Sequence, residues 1–169
     1  REPMNCSIKD LNRYVGQEVT LRGWMYNRRS SKTLHFLQLR DGSGVVQGVV
    51  VKDEVPPETW QAASDATMES SVVVTGVVRD DKRAPTGVEL TVKAVNILQL
   101  SEEYPIQKKE HGIDYLLDLR HLWLRSTRQR AIMRVRATII KACRDFLDSD
   151  GFTLVDAPIF TPNACEGTT

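Results

Sequence analysis

Between Glu18 and Leu100 apolar and polar positions alternate. In EVTLRGWMYNRR, Val19, Leu21 and Gly23 fall on one face, and Thr20, Arg22 and Trp24 on the other. This is the period of a half-buried strand. TLHFLQLRD repeats it: Leu37 and Leu39 share a face, which leaves Phe36 beside Gln38 among polar and basic neighbours. RDGSG, residues 40–44, is turn chemistry, with its glycines expected to supply positive φ. GVVQGVVV reads as a third strand, but it is apolar at nearly every position, so periodicity does not give its inward phase. In VPPETWQAASDAT, Pro57 pre-sets a first helical turn and Trp60, Ala63 and Ala66 form a short stripe. SVVVTGVVRDD and GVELTVKAVNILQL are two further strands, joined by a loop over residues 79–87 with Ala-Pro-Thr-Gly at its tip.

Three strands, a short helix and two strands predict an α+β chain that opens with a five-stranded OB-fold β-barrel over residues 1–100. A β-sandwich ordinarily needs about seven strands. Glycines at 23, 48 and 76 suit strands that bend sharply around a small barrel. Residues 101–125 are charged and without a clean period, and read as a hinge. A second, incomplete domain is expected over 126–169. Ser126 and Gln129 have capping-box spacing. Ile132, Val135, Ile139, Cys143 and Phe146 then recur at steps of three and four, as on one helix face. Gly151 is placed to end that helix, with Phe152 after it. FTLVDAPIFT reads as a strand whose Pro158 suits an edge or an interface.

A hydrophobic fraction of 41% with 27% charged residues describes a globular chain. The net charge is only +1, which excludes a general polyanion binder. Basic residues nevertheless cluster twice: Arg22, Arg28, Arg29, Lys32 and Arg40, then Arg120, Arg125, Arg128, Arg130, Arg134 and Arg136. Each cluster is either a solvated face or a nucleic-acid contact. Three widely spaced cysteines, Cys6, Cys143 and Cys165, predict neither a disulfide framework nor a zinc site, and suit a reducing cytoplasm. No apolar run reaches the length of a membrane span, and no secretory leader is read at the start.

Barrels of the OB type bind single strands by stacking bases on outward rings while basic residues follow the phosphates. Phe36, Arg29 and Gln47 supply a ring, a guanidinium and an amide that both donates and accepts. The alternative is that Phe36 closes a barrel end and Gln47 is ordinary surface; the pattern leaves both open. Trp24 and Trp123 read as packing residues. His35, His111 and His121 lack metal-ligand spacing. Asp114, Asp118 and Glu166 form no catalytic pair, and no phosphate-binding glycine loop is present.

Three segments carry a resemblance to a known family: LRGWMYNRRSSKTLHFLQLRDGSGVVQGVV, EYPIQKKEHGIDYLLDLRHLWLRS and GFTLVDAPIFTPNACEGTT. Across residues 8–169 the chain resembles the class IIb aminoacyl-tRNA synthetases, on the asparaginyl side of that family. Arg120-His121-Leu122-Trp123-Leu124-Arg125 stands where aspartyl and lysyl members usually have R-Y-L-D-L-R, and EGTT points the same way. The resemblance implies that Phe36 stacks on the central anticodon base, a uridine, that Gln47 reads the same base, and that Arg29 is a further anticodon contact. It implies that residues 126–160 are class II motif 1, which builds a homodimer interface around Pro158. It places Glu166 near the substrate α-ammonium, where a carboxylate would pair with it, with Gly167 lending mobility.

The family's later motifs, which hold ATP, are absent from these residues, so no catalytic residue is assigned and the portion is not expected to be active alone. In full, such an enzyme takes asparagine, ATP, Mg2+ and tRNA, in the cytoplasm and without a membrane. Three alternatives stay open: an aspartyl enzyme of relaxed tRNA choice, a non-catalytic barrel that binds single-stranded RNA, and a fragment acting only through dimerisation.

Overall fold

The computed structural model describes residues 4–107 and 109–160. The chain divides into two compact units that part after Gln107. In the first, β1 (Met4–Asn5) and a 3-10 turn (Ile8–Tyr14) precede β2 (Glu18–Ser30), β3 (Leu34–Arg40) and β4 (Val45–Val51). A short 3-10 turn (Lys52–Glu54) and α1 (Pro57–Asp65) lead to β5 (Ser71–Asp80) and β6 (Val88–Gln99). The sheet order is β1-β2-β3-β4-β6-β5, and β5 pairs back onto β2. That last pairing closes the five long strands into a barrel. Closure removes exposed strand edges, the commonest liability of a small all-β unit. The expected order of three strands, a helix and two strands is present; β1 and the first 3-10 turn are additions that the alternation did not reveal.

Alternation decides the core. Val19, Leu21 and Met25 of β2, Leu37 and Leu39 of β3, Val72, Val74 and Val78 of β5, and Leu90 and Val92 of β6 are all buried. Ile8, Leu11 and Ala63 pack with the same core from outside the long strands. β4 gains its phase from its neighbour: Gln38 lies opposite Gln47, so Gln47 faces out while Val46, Gly48 and Val50 face in. Two glycines sit where strands touch. A Cβ at Gly23 would lie 2.3 Å from the Arg40 carbonyl oxygen, and one at Gly76 would lie 2.4 Å from that of Thr91.

The turn after β3 is built differently from expectation. Gly42 and Gly44 do not take positive φ; among the described residues only Gly16, Gly87 and Gly151 do so as glycines. Asp41 shapes the turn instead. Its carboxylate accepts from the N–H of Ile8 (2.8 Å), Ser43 (2.7 Å) and Gly44 (2.9 Å), and from the Ser43 hydroxyl (2.6 Å). Burial alone would push its pKa up, but these donors outweigh that and hold it below the ordinary value. A depressed folded pKa stabilises the protein above the unfolded value and is lost as pH falls through it. Asp41→Ala is therefore expected to cost about 2 kcal/mol at neutral pH, with the gap to wild type closing below about pH 4. Urea titrations at a series of pH values check both parts; a gap that does not change with pH would refute the electrostatic account.

The second unit holds α2 (Ile113–Asp118), α3 (Arg120–Trp123) and α4 (Thr127–Ser149). The first two lie in the stretch read as a hinge, residues 101–125. α4 starts as expected, with the Ser126 hydroxyl accepting from the Gln129 N–H at 3.3 Å. It ends in a Schellman turn. The Gly151 N–H donates to Asp148 (3.1 Å) and the Phe152 N–H to Leu147 (3.0 Å), with Gly151 at φ +89°. Ile132, Val135, Ile139 and Phe146 are exposed along α4, and no residue of that helix is buried. The strand expected over 152–160 is not formed: these residues carry no ladder, because a strand exists only beside a partner and the described residues of this unit supply none.

Candidate nucleic-acid interface

A groove of about 510 Å³ crosses the outer face of β3 and β4. Phe36 and Gln38 of β3, Gln47 and Val49 of β4, and Arg83 and Pro85 of the β5–β6 loop are among its lining. Phe36 lies opposite Val49, and Gln47 opposite Gln38, so Phe36 and Gln47 share one face as diagonal neighbours. Phe36 is not in the buried core. The pattern had left open a Phe36 that closes the barrel; the ring lines the groove instead.

Arg29 reaches the ring because β2 bulges. The β2–β3 register shifts between Met25 and Asn27, after which Arg28 lies opposite Leu37 and Arg29 opposite Phe36. In unbroken alternation with Val19, Leu21 and Met25, Arg29 would have pointed inward. One extra residue turns it to the Phe36 face, a common use of bulges. Its Cζ lies 5.8 Å from the Phe36 ring centroid, within cation–π range. A base stacked on this ring would meet a guanidinium at one edge and the Gln38 and Gln47 amides along the strands.

The loop over the groove is ordered by its own contacts. The Asp81 carboxylate accepts the Arg83 N–H at 2.9 Å, and Gly87 donates to the Ala84 carbonyl at 2.9 Å. That Arg83 N–H holds the Asp81 carboxyl below its ordinary value, against a weaker desolvation push. The loop thus presents Arg83 and Pro85 to the groove from a fixed turn.

The first basic cluster divides on folding. Arg22, Arg28, Arg29 and Lys32 are exposed. Arg28 donates to the α1 carbonyls of Ala63 (3.0 Å) and Ser64. Arg40 is buried against Glu69. In the second cluster Arg120, Arg125, Arg128, Arg130, Arg134 and Arg136 are all exposed. Trp24 is 38% exposed beside Arg40, and Trp123 is half-buried. Pro158 is exposed in the second unit; Glu166 and Gly167 lie outside the described residues. Gln38 and Arg83 were not singled out from sequence. Gln38 shares the period-2 phase of Phe36 and was accessible to the same reasoning. Arg83 comes to the groove only because β6 pairs beside β4.

The closed five-stranded barrel, with an aromatic ring, amides and a guanidinium on its outer face, has the architecture of the OB class. Comparison with known proteins carries this further. A family model described as an OB-fold nucleic acid binding domain matches residues 19–98, and one described as tRNA synthetases class II (D, K and N) matches residues 112–169. Residues 112–169 thus match the class II synthetase family, and the barrel before them matches the OB-fold family. The chain is 52% identical over 162 residues to the asparagine–tRNA ligase of Desulforamulus reducens, covering 96% of this chain and 38% of the relative. To the asparagine–tRNA ligase of Sorangium cellulosum it is 55% identical over 163 residues, covering 96% of this chain and 36% of the relative. The asparaginyl-tRNA synthetase of Pyrococcus horikoshii, solved with asparaginyl-adenylate, superposes with a TM-score of 0.81 at 39% identity, over 92% of this chain and 36% of that one. The chain thus spans well under half the length of the relatives it matches.

Proposed function

We propose that this chain carries the anticodon-reading barrel and the first catalytic-domain segment of an asparagine–tRNA ligase. The observation that supports the barrel's role is the outward Phe36 ring, with Arg29 over it and Gln47 on the same face of the groove. An anticodon base leaves its neighbours, stacks on the ring at a gain of about 1–3 kcal/mol, and is selected by amides that pair with its polar edge. The whole enzyme would join asparagine to ATP as an adenylate and pass the acyl group to the terminal ribose of tRNA, in the cytoplasm. Mg2+ would spread the phosphate charge of the first step. Among the described residues no group of three His, Cys, Asp or Glu is placed to hold a metal, and no helix is long and apolar enough to cross a membrane. Glu166 would take the substrate ammonium, and α4 with Pro158 would begin a homodimer interface, for which the exposed apolar stripe of α4 speaks. Identities above 50% to asparagine ligases favour asparagine over aspartate. The class II match of residues 112–169 speaks against a free-standing barrel.

The test is Phe36→Ala against an RNA hairpin with a central uridine in a seven-base, tRNA-like loop. Loss of stacking is expected to weaken binding by about 5- to 150-fold while stability changes by less than about 1 kcal/mol. Unchanged affinity in a variant that unfolds easily would make Phe36 a packing residue and end this reading.

A further inference from the structure

Beneath the groove lies a buried polar cluster that the base-reading contacts do not use. His35, next to Phe36 on β3, is only 5% exposed. Its Nε2 lies 2.9 Å from the Ser64 hydroxyl on α1, and its Nδ1 lies 2.8 Å from the Ser30 hydroxyl at the end of β2. The hydrogen-bond pattern sets the tautomer. Ser64 gives its one hydroxyl proton to the Trp60 carbonyl at 2.9 Å, so it accepts from His35 Nε2–H. Nδ1 is then the acceptor, and Ser30 donates to it. The ring stacks on Trp60, with centroids 3.8 Å apart. His35 also lies opposite Ser30 in the ladder, next to the Phe36–Arg29 pair.

We propose that His35 is a positioning residue for the Phe36–Arg29 pair, and that in its neutral form it fastens the end of β2 to α1 through Ser30 and Ser64. This rests on the anticodon reading of the groove. Arg29 is exposed, and it stays over Phe36 only while the end of β2 stays in register. A proton on Nδ1 turns that atom from acceptor to donor. The Ser30 hydroxyl must then reverse, and the ring becomes a cation in a site built for a neutral one.

The surroundings do not welcome that cation. The charged groups on the segments around the ring include Arg28 and Arg29 on β2, Lys32 in the turn before β3, Lys52, Asp53 and Glu54 in the turn after β4, and Glu58 and Asp65 on α1. Arg28 is committed to α1 carbonyls, and Lys52 lies 5.8 Å from the Trp60 ring centroid. Asp65 accepts from the Gln61 amide. The ring nitrogens bond to the two serines, not to a carboxylate. Burial, with the Arg28 charge added, accordingly pushes the His35 pKa below the ordinary histidine value. The arrangement is stable above that ordinary value and weakens as pH falls through the folded one.

The experiment titrates the same uridine-loop RNA hairpin against the chain at about pH 7.5 and about pH 5.5, at fixed ionic strength because polyanion binding depends on salt. Wild-type affinity is expected to fall about three- to tenfold on acidification, the scale of up to one pKa unit of coupling. That is opposite to the gain that protonating histidines ordinarily gives a polyanion site. His35→Asn keeps an acceptor near Ser30 but does not titrate, so its profile should be flat. Ser30→Ala, at an exposed position, should bind more weakly at both pH values with a flat profile, and it decides the matter if His35→Asn does not fold. A flat wild-type profile, or a wild-type slope in either variant, overturns the proposal. Phe36→Ala separates the two levels. If it leaves affinity unchanged, the anticodon reading fails and the role of His35 with it. If it weakens binding while the wild-type profile is flat, only the role of His35 fails.

Discussion

Glu69→Ala is expected to cost about 3–5 kcal/mol of folding stability, the size associated with stranding one member of a buried ion pair. Glu69 Oε2 lies 2.6 Å from Arg40 Nη2, and the two side chains are only 7% and 11% exposed. The guanidinium also lies 5.3 Å from the Tyr26 ring centroid and 5.9 Å from that of Trp24. Removing the carboxylate leaves a cation between two rings and a barrel wall, with its desolvation no longer offset. Glu69 has a positive φ of 69°, held by its N–H donating to the Met25 carbonyl at 2.6 Å. Alanine at the same φ keeps that strain, so the loss does not come from the backbone. The double variant Arg40→Met with Glu69→Leu should recover most of the loss, because two apolar groups of similar volume leave no buried charge. Urea unfolding followed by tryptophan fluorescence measures all three proteins. A loss below about 1 kcal/mol for Glu69→Ala would mean that water reaches Arg40 and the pair is a surface contact in effect.

Gly76→Ala is expected to be nearly as damaging, at about 3 kcal/mol, and for a reason unrelated to charge. The added Cβ would lie 2.4 Å from the Thr91 carbonyl oxygen and 2.9 Å from Leu90 Cγ. Leu90 is fully buried, and Thr91 belongs to the ladder that β6 forms with β5. Neither can move aside without opening the barrel where the β5–β6 register already shifts, between Thr75 and Gly76. Gly42→Ala is the matched control, because nothing lies within 4 Å of its added Cβ and its φ is not positive. Thermal unfolding of the two variants side by side should show a large drop for Gly76→Ala and almost none for Gly42→Ala. Equal, small drops would mean that the barrel yields at β5 and that the close approach there is soft.

Particular residues show how far sequence pattern reaches. Leu37 and Leu39 inward, Phe36 and Gln38 outward, follow from a side-chain period of two and one buried face. The start and stop of α4 follow from local capping, since Ser126 and Gly151 act within a few residues of themselves. The turn after β3 was placed correctly but explained wrongly. Its shape comes from the Asp41 carboxylate, which takes the Ser43 and Gly44 N–H groups within the turn and also reaches Ile8, across 33 residues of chain; only that last contact lies outside RDGSG. The strand expected over 152–160 fails for a related reason, because β structure is completed by a partner and not by propensity.

Local order along the chain, then, determined the five long strands of the barrel, which of their faces are greasy, and that a lone ring stands among polar neighbours. These depend on nearest neighbours, and the sequence states nearest neighbours directly. Only the tertiary structure decided that Arg29 meets that ring, since one bulged residue of β2 reverses the phase that alternation implies. It alone decided the phase of β4, the arrival of Arg83 at the groove, and the seat of His35 between Ser30 and Ser64. Each of these brings together groups far apart in the chain, and barrel closure with strand register, not composition, sets their distances.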